Sequence, residues 1–306
     1  MKQRVITATI LCSILIPVLF VGSYFVIALV MFLSFRGVYE LLRMHNTKHK
    51  LSKGYIYTLP IISSLITGLI AFLFYKKVEL IIISLPIILV YFVILLIIGT
   101  FSKTIKMTDV ISMIFYILYG GLSFSLLAGI RFINNIDGNN WKLPIGSFDI
   151  NLIGLALIGY SLIVSSTTDV GAQLGGIKFG KHKLCPTISP KKTVEGFISG
   201  MLTGGVLGTI VLVLCQYFGE FSILGTDKLY INIPVIFVIS VLLSIAGQVG
   251  DLIASKIKRE YDIKDYGQIF PGHGGVLDRF DSSIVVTTVL FVVVILISTI
   301  IGGTLW

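Results

Sequence analysis

The segment between residues 255 and 281 holds the densest group of side chains that could do chemistry. It opens with Ser255-Lys256-Ile257-Lys258-Arg259 and closes with His273-Gly274-Gly275-Val276-Leu277-Asp278-Arg279-Phe280-Asp281. Long apolar runs flank it on both sides, and ionisable groups are rare and costly in hydrocarbon. We therefore expect the chemistry of this chain to lie in this segment.

Carboxylates in and beside this segment are spaced to share helix faces. Asp278 and Asp281 lie three residues apart at the start of the last apolar run, and Asp251 and Ser255 lie four apart at the end of the preceding run. Residues at these spacings are neighbours on a helix. Two adjacent helices would bring three carboxylates together, which suits a Mg²⁺ ion that also binds phosphate oxygens.

The basic residues and glycines nearby fit a phosphate ligand. The cations Lys258, Arg259, Lys264 and Arg279 would neutralise phosphate charge, and arginine can bind two oxygens at once. The glycines around His273 let the backbone approach a ligand closely; His273 itself either donates a hydrogen bond or shapes the turn. The alternative is that these cations mark membrane topology and that Asp278 and Asp281 cap a helix.

Composition predicts a membrane protein. Of 306 residues, 55% are hydrophobic and 13% charged, whereas soluble proteins carry about 25% charged residues. The net charge of +9 lies in short segments between apolar runs, which favours a lipid surface over nucleic acid. Three scattered cysteines do not make a disulfide framework or a metal site.

Charge-free runs predict an all-α, polytopic integral membrane protein with about nine transmembrane helices. A span needs about 20 apolar residues, and the first run is too long for one helix, with Pro17 and Gly22 offering a break. The runs cover residues 5–35, 54–75, 80–102, 110–130, 150–168, 196–219, 229–250 and 282–306.

The distribution of lysine and arginine predicts the orientation. With nine spans, most of the 24 basic residues fall on one side, which places the N-terminus and the charged loops in the cytoplasm and the protein in the cell membrane. A cleaved signal peptide is the alternative for the first run, but no cleavage pattern follows it.

We interpret the chain as one membrane-embedded domain, 1–306, with scaffold helices in 1–150 and a catalytic half in 151–306. The catalytic half holds two cytoplasmic loops, predicted at residues 169–195 and 251–281. Gly196, Gly200, Gly204 and Gly208 lie between them at every fourth position, which predicts close helix packing inside the monomer rather than a dimer seam.

One further pair of residues resembles a metal site only superficially. His45 and His49 are four apart, but lysines surround them and no acidic residue or cysteine is near in the sequence. We interpret them as part of a solvated basic loop.

The long pattern Ser255-x-Ile257-Lys258-Arg259-x4-Lys264-Asp265-x-Gly267-x2-Ile269-x-Pro271-x-His273-Gly274-Gly275-Val276-x-Asp278-Arg279-Phe280-Asp281 closely resembles the signature of phosphatidate cytidylyltransferases (CDP-diacylglycerol synthases). A second block agrees, with Phe179-Gly180-Lys181-His182-Lys183-Leu184 and Ser189-Pro190-x-Lys192-Thr193-x-Glu195-Gly196. The resemblance spans nearly the whole chain and is strongest from Asp169 onward. Family members often carry Asp-Ser-x-Ala-Tyr near this aspartate, where this chain has Asp169-Val170-Gly171-Ala172-Gln173.

The resemblance implies an enzyme that makes CDP-diacylglycerol and pyrophosphate from CTP and phosphatidic acid, with Mg²⁺ as cofactor, in a homodimer. The implied metal ligands map onto Asp251, Asp278 and Asp281. Catalytic roles are expected for these three and for Lys258, Arg259, Arg279 and His273. The expected substrate-binding residues are Ser255, Lys264, Asp265, Gly274, Gly275, Ser189, Lys192, Thr193 and Asp169.

Two other functions compete with this prediction. A related prenol kinase or CDP-archaeol-type synthase would keep the CTP chemistry and change the lipid. A transporter or channel would carry its carboxylates in mid-span, whereas nearly all charges here lie at span ends and no broken helix pair repeats in both halves.

Overall fold

The structure is a computed structural model that describes residues 2–76, 81–102, 105–133, 142–145, 148–219, 222–224, 229–270, 272 and 274–301. Helices dominate this part of the chain. The helices are α1 (Lys2–Val21), α2 (Ser23–His45), α3 (Lys53–Tyr75), α4 (Ile81–Phe101), α5 (Met107–Ile117), α6 (Ser123–Arg131), α7 (Leu152–Phe179), α8 (Val194–Gly219), α9 (Leu229–Glu260) and α10 (Leu277–Ile301). A π-helical turn, Leu118–Leu122, joins α5 to α6. Two antiparallel hairpins are formed by β1 (Lys142–Ile145) with β2 (Phe148–Asn151) and by β3 (Lys183–Cys185) with β4 (Ser189–Thr193).

The apolar helices make this chain a multi-pass membrane protein. Within the described residues, seven helices are long and apolar enough to cross a bilayer, and Thr9–Val21 and Leu85–Phe101 are shorter apolar helices. The all-α, polytopic prediction of about nine helices is therefore confirmed. The seven are Ser23–His45, Lys53–Tyr75, Met107–Arg131, Leu152–Phe179, Val194–Gly219, Asn232–Glu260 and Leu277–Ile300.

The long first apolar run is divided in two, as its length required. Gly22 separates α1 from α2 with a φ of 71°, a left-handed conformation that glycine adopts without steric cost. Pro17 lies inside α1 and does not end it.

Helices near the charged segments run further than the apolar runs, so the predicted loop boundaries at residues 169 and 251 were wrong. Helix α7 continues to Phe179 and α9 to Glu260. Small residues explain the first extension, because Gly171 and Gly175 pack closely on Thr203 and Ser199 of α8. The polar end of α7 thus packs against α8 although it lies beyond the apolar run.

The described residues cluster into two compact units. Unit 1 comprises those within Met1–Gly129 and Tyr261–Asp278, and unit 2 those within Ile130–Glu260 and Arg279–Trp306. The segment 261–278, which holds the glycines around His273, therefore clusters with helices α1 to α5 and most of α6. Helices α7, α8 and α9 belong to unit 2.

In unit 2 the glycine stripe of α8, formed by Gly196, Gly200, Gly204 and Gly208, packs against α7 and α9 of the same chain, as predicted. A Cβ atom added at Gly200 would collide with the Thr168 carbonyl oxygen and the Ala172 side chain of α7, and one at Gly204 with Thr168 and Ser244. The absent side chains let the backbones of α7 and α8 approach closely, in the manner of small-residue packing between membrane helices.

In unit 1 a buried carboxylate holds the start of α10. Glu40 on α2 is 1% exposed, and its two oxygens accept the backbone N–H groups of Val276 and Leu277 at 3.0 and 3.1 Å. Arg36 lies 3.5 Å from the same carboxylate. The first N–H groups of a helix have no partner inside it, and a negative charge there is stabilised by the helix dipole.

We expect Gly200→Ala to destabilise unit 2, because the added methyl group has no room between α7 and α8. Overpacking costs about 1–3 kcal/mol, against about 1 kcal/mol gained from the higher helix propensity of alanine. The matched control is Gly159→Ala on α7, where a Cβ would meet nothing within 4 Å. Thermal unfolding in detergent should give a lower midpoint for Gly200→Ala and an unchanged or higher one for Gly159→Ala; equal midpoints would contradict the packing.

We expect Glu40→Gln to destabilise the start of α10. Each carboxylate oxygen accepts one N–H, whereas a glutamine amide has one acceptor and would turn its NH₂ group toward the other donor. A buried N–H left without a partner costs about 1–3 kcal/mol. Hydrogen exchange should speed up at Val276 and Leu277 in this variant and stay unchanged in Glu260→Gln, whose side chain is 58% exposed. Unchanged exchange in both variants would show that Glu40 does not hold this helix.

Candidate active site

Three carboxylates converge in unit 2, one from each of α7, α9 and α10. Asp281 lies near enough to Asp251 and Asp169 for mutual repulsion, and near enough to Lys258 for attraction. Helices α9 and α10 approach at this point, because a Cβ on Gly250 would meet the Asp281 carbonyl oxygen. Ser255, one turn beyond Asp251, donates to its Oδ1 at 3.3 Å. The predicted helix face of Asp251 and Ser255 therefore exists.

The second cationic partner of the cluster comes from the β3–β4 hairpin. Lys192 Nζ lies 2.6 Å from Asp251 Oδ2, with both side chains about 30% exposed. Thr193 follows it, and its Oγ1 accepts the backbone N–H of Gly196 at 3.1 Å. This bond caps α8, so the residue after Lys192 is fixed to the start of a helix.

A carboxylate on α8 anchors the other end of this hairpin. Glu195 accepts the backbone N–H groups of Lys181 and His182 and contacts the Nδ1 atom of His182 at 2.6 Å. An acidic residue in the first turn of a helix is favoured by the helix dipole. The hairpin that carries Lys192 is thus tied to α8 at both ends.

The cluster opens into a cavity of about 410 Å³ within unit 2. Its lining combines the carboxylates of Asp169 and Asp251 with lysines, side-chain amides and apolar side chains, which is the composition of a small-molecule site. The polar lining residues are Asp169, Gln173, Lys191, Lys192, Thr193, Gln248 and Asp251. Gln248 is fixed there by its donation to the Phe197 carbonyl at 3.2 Å.

Asp278 organises the loop that precedes α10. Its Oδ2 atom accepts the backbone N–H groups of Tyr266 at 2.8 Å and Gly275 at 2.9 Å, and the side chain is buried. Phe270 N–H donates to the Gly274 carbonyl at 3.0 Å. Gly274 has a φ of 84°, which disfavours any residue with a side chain.

The remaining predicted site residues differ in their surroundings. Arg259 Nε is 3.5 Å from the Ile188 carbonyl oxygen at the hairpin turn, and Ser189 opens β4 opposite Cys185. Lys264, Asp265 and Arg279 are exposed. His273 lies outside the described residues.

The altered segment after Asp169 is helical, and its two changed positions differ in their surroundings. Gln173 lines the cavity one turn beyond Asp169, so an amide occupies the place of the family's aromatic residue. Val170 is 54% exposed and does not line the cavity.

Sequence reasoning placed Asp169 among the substrate-binding residues but missed its approach to Asp251 and Asp281. It also missed the contacts of Glu40 and Gln248. For Gln248 the sequence signal was an amide group inside an otherwise apolar run, and polar groups are unusual in a membrane span.

Comparison with known proteins identifies the family. Residues 2–297 match the model of the cytidylyltransferase family. The chain is 32% identical over 303 residues to the phosphatidate cytidylyltransferase of Staphylococcus haemolyticus (strain JCSC1435), covering 96% of this chain and 99% of that protein. It is equally similar to the phosphatidate cytidylyltransferases of Bacillus subtilis (strain 168), with 97% and 99% covered, and Staphylococcus aureus (strain COL), with 96% and 99% covered. The chain belongs to the cytidylyltransferase family.

Proposed function

We propose that this protein is a phosphatidate cytidylyltransferase, which forms CDP-diacylglycerol and pyrophosphate from CTP and phosphatidic acid. The observation that carries the proposal is the group of three aspartates beside Lys192 and Lys258, next to a polar cavity where the apolar runs of the membrane helices end. Relatives that match nearly the whole chain bear this name, and the family is that of cytidylyltransferases.

The carboxylate cluster fits a magnesium ion. Asp169, Asp251 and Asp281 offer oxygen ligands, which Mg²⁺ prefers, and their mutual repulsion would be relieved by a cation. We propose Asp251 and Asp281 as metal ligands, with Asp169 completing the group. When bound, magnesium supplies neutralisation and alignment of the substrate phosphate oxygens. The role of Asp278 as a ligand stays a prediction. Its Oδ2 atom accepts two backbone N–H groups of the loop.

The reaction needs positioning and charge neutralisation rather than a protein nucleophile. An oxygen of the phosphatidate phosphate attacks the α-phosphorus of CTP. The bond from that phosphorus to the bridging oxygen of the β-phosphate breaks, and pyrophosphate leaves with the electron pair. Lys192 and Lys258 would offset charge on the phosphates, and Lys192 is already held over the cavity by its ion pair with Asp251.

The lipid substrate fixes where this site must lie. Acyl chains stay in the bilayer while CTP arrives from water, so the site belongs at an interface. Asp169, Asp251 and Asp281 border the apolar runs of their helices and so meet this condition. We place that interface at the cytoplasmic face of the cell membrane, where the positive-inside rule puts the N-terminus and the charged loops. The homodimer implied by the family resemblance stays a prediction.

Purified protein in detergent, given labelled CTP, phosphatidic acid and Mg²⁺, should form CDP-diacylglycerol and release pyrophosphate. Chelation of the divalent cation should stop the reaction, and added Mg²⁺ should restore it. A prenol offered instead of phosphatidic acid should not be phosphorylated. Phosphorylation of the prenol with no CDP-lipid above background would assign the chain to a different lipid substrate.

Asp281→Asn should lower turnover about 100-fold or more, because metal-bound charge stabilisation contributes several kcal/mol. The thermal midpoint should hold or rise, since one of three repelling charges is removed. Asp262→Asn, at a side chain 80% exposed, is the matched control and should keep normal activity. Activity of Asp281→Asn near that of the control would remove Asp281 from the site.

Two substitutions at Asp278 separate a ligand role from a loop role. Both N–H groups donate to the same oxygen, so Asp278→Asn can keep both bonds and the fold while losing the charge. Asp278→Ala loses both bonds and should lower the thermal midpoint by an amount that corresponds to about 1–3 kcal/mol. Turnover lost in both variants supports the ligand role; near-normal turnover in Asp278→Asn would restrict this residue to the loop.

A further inference from the structure

A second cluster of side chains that could bind a metal ion lies in unit 1, and it contains none of the residues assigned to the reaction. It consists of His45 at the end of α2, His49 in the turn that follows, and Asp109 in the first turn of α5. One potential ligand atom from each residue lies within 4.8 Å of the other two. The sequence-based interpretation of His45 and His49 as a solvated basic loop was wrong for His45, which is 1% exposed.

The distances suit coordination of a small divalent ion. His45 Nε2 and His49 Nδ1 lie 3.2 and 3.1 Å from the same oxygen, Oδ1 of Asp109. Two ligands of a tetrahedral zinc ion, each about 2.0–2.1 Å from the metal, lie roughly 3.3 Å apart. The two measured separations are therefore close to those that zinc ligands adopt.

The surroundings of His45 resemble the outer shell of a metal site. Its other ring nitrogen, Nδ1, lies 3.0 Å from the Tyr116 hydroxyl and 2.8 Å from the Tyr261 hydroxyl, and the two hydroxyls are 2.9 Å apart. A histidine that binds metal through one nitrogen usually donates a hydrogen bond from the other, which fixes the ring. The tyrosines leave Nε2 to face Asp109.

Access and charge also fit a cation. His49 is 43% exposed at its side chain while Asp109 is 8% exposed, so the cluster borders water at His49 and is otherwise buried at Asp109 and His45. Lys48, one of the two lysines adjacent to His49 in the sequence, pairs with Asp262 at 2.7 Å, which offsets its positive charge. Two imidazoles and one carboxylate favour zinc or a similar transition metal over Mg²⁺, which prefers oxygen ligands.

We propose that His45, His49 and Asp109 form a binding site for a transition-metal ion of the zinc class, with a water molecule as the fourth ligand. The site would fasten the end of α2 to the start of α5, and Tyr261, the first residue after α9, would connect it to the loop that Asp278 organises. This proposal does not depend on the reaction assigned above.

Zinc binding to the full-length protein in detergent tests the site directly. Protein stripped of metal is titrated with Zn²⁺ against a chromophoric chelator, in saturating Mg²⁺ so that the oxygen-only cluster is filled. We expect one tight zinc ion per chain and a higher thermal midpoint with zinc. Failure of the wild-type protein to bind zinc under these conditions would overturn the proposal, whatever its enzymatic activity.

Variants locate the ion. His49 is partly exposed, so we expect His49→Ala to fold. This variant should weaken zinc binding by more than the roughly 10- to 100-fold that follows the loss of an outer-shell partner. Tyr261→Phe should weaken it by about 10-fold. His182→Ala removes an exposed histidine that also contacts a carboxylate and should bind zinc as the wild type does, as should Asp281→Asn. Equal affinity in His49→Ala and His182→Ala would place the ion elsewhere and reject this site.

Discussion

The structure depends on a carboxylate buried among membrane helices that binds the start of the last one. Glu40 is more than 230 positions away in the sequence from the N–H groups it accepts. A glutamate at 1% exposure is tolerated because both oxygens have donors and Arg36 is near, and these partners offset part of the cost of removing the charge from water. The same helix carries Asp278 in its first turn and Asp281 one turn later.

In unit 2, close packing at the glycines of α8 holds the helices together. The glycine stripe of α8 lets α7 approach until Ala172 and Thr168 touch the α8 backbone. Because α7 continues past its apolar part, this approach carries Asp169 and Gln173 to the cavity that Asp251 and Lys192 also line. Contacts between uncharged groups thus bring together carboxylates that repel one another, and Lys192 and Lys258 offset part of that repulsion. Such a pre-formed arrangement is what binding of a cation and a polyphosphate requires.

Much of this was readable from particular residues. The lengths of apolar runs gave the spans and the break at Gly22, and the spacing of Asp251 and Ser255 placed them on one helix face. The predicted loop boundaries were wrong because a helix can continue past its apolar run where its glycines let a neighbouring helix pack closely, as in α7. The interpretation of His45 and His49 as a solvated loop was wrong for a different reason. Their acidic partner Asp109 lies some 60 positions away in the sequence, and no nearby residue indicates it.

The sequence by itself determined that the chain is a multi-span membrane protein and which family it resembles, because hydropathy and motif spacing are local properties of the chain. The tertiary structure alone decided which ionisable groups meet: Asp169 with Asp251 and Asp281, Glu40 with the start of α10, and His45 with Asp109. The physical reason is that a charge in a membrane span is stable only beside partners, and partners are chosen by how helices pack rather than by their order in the sequence.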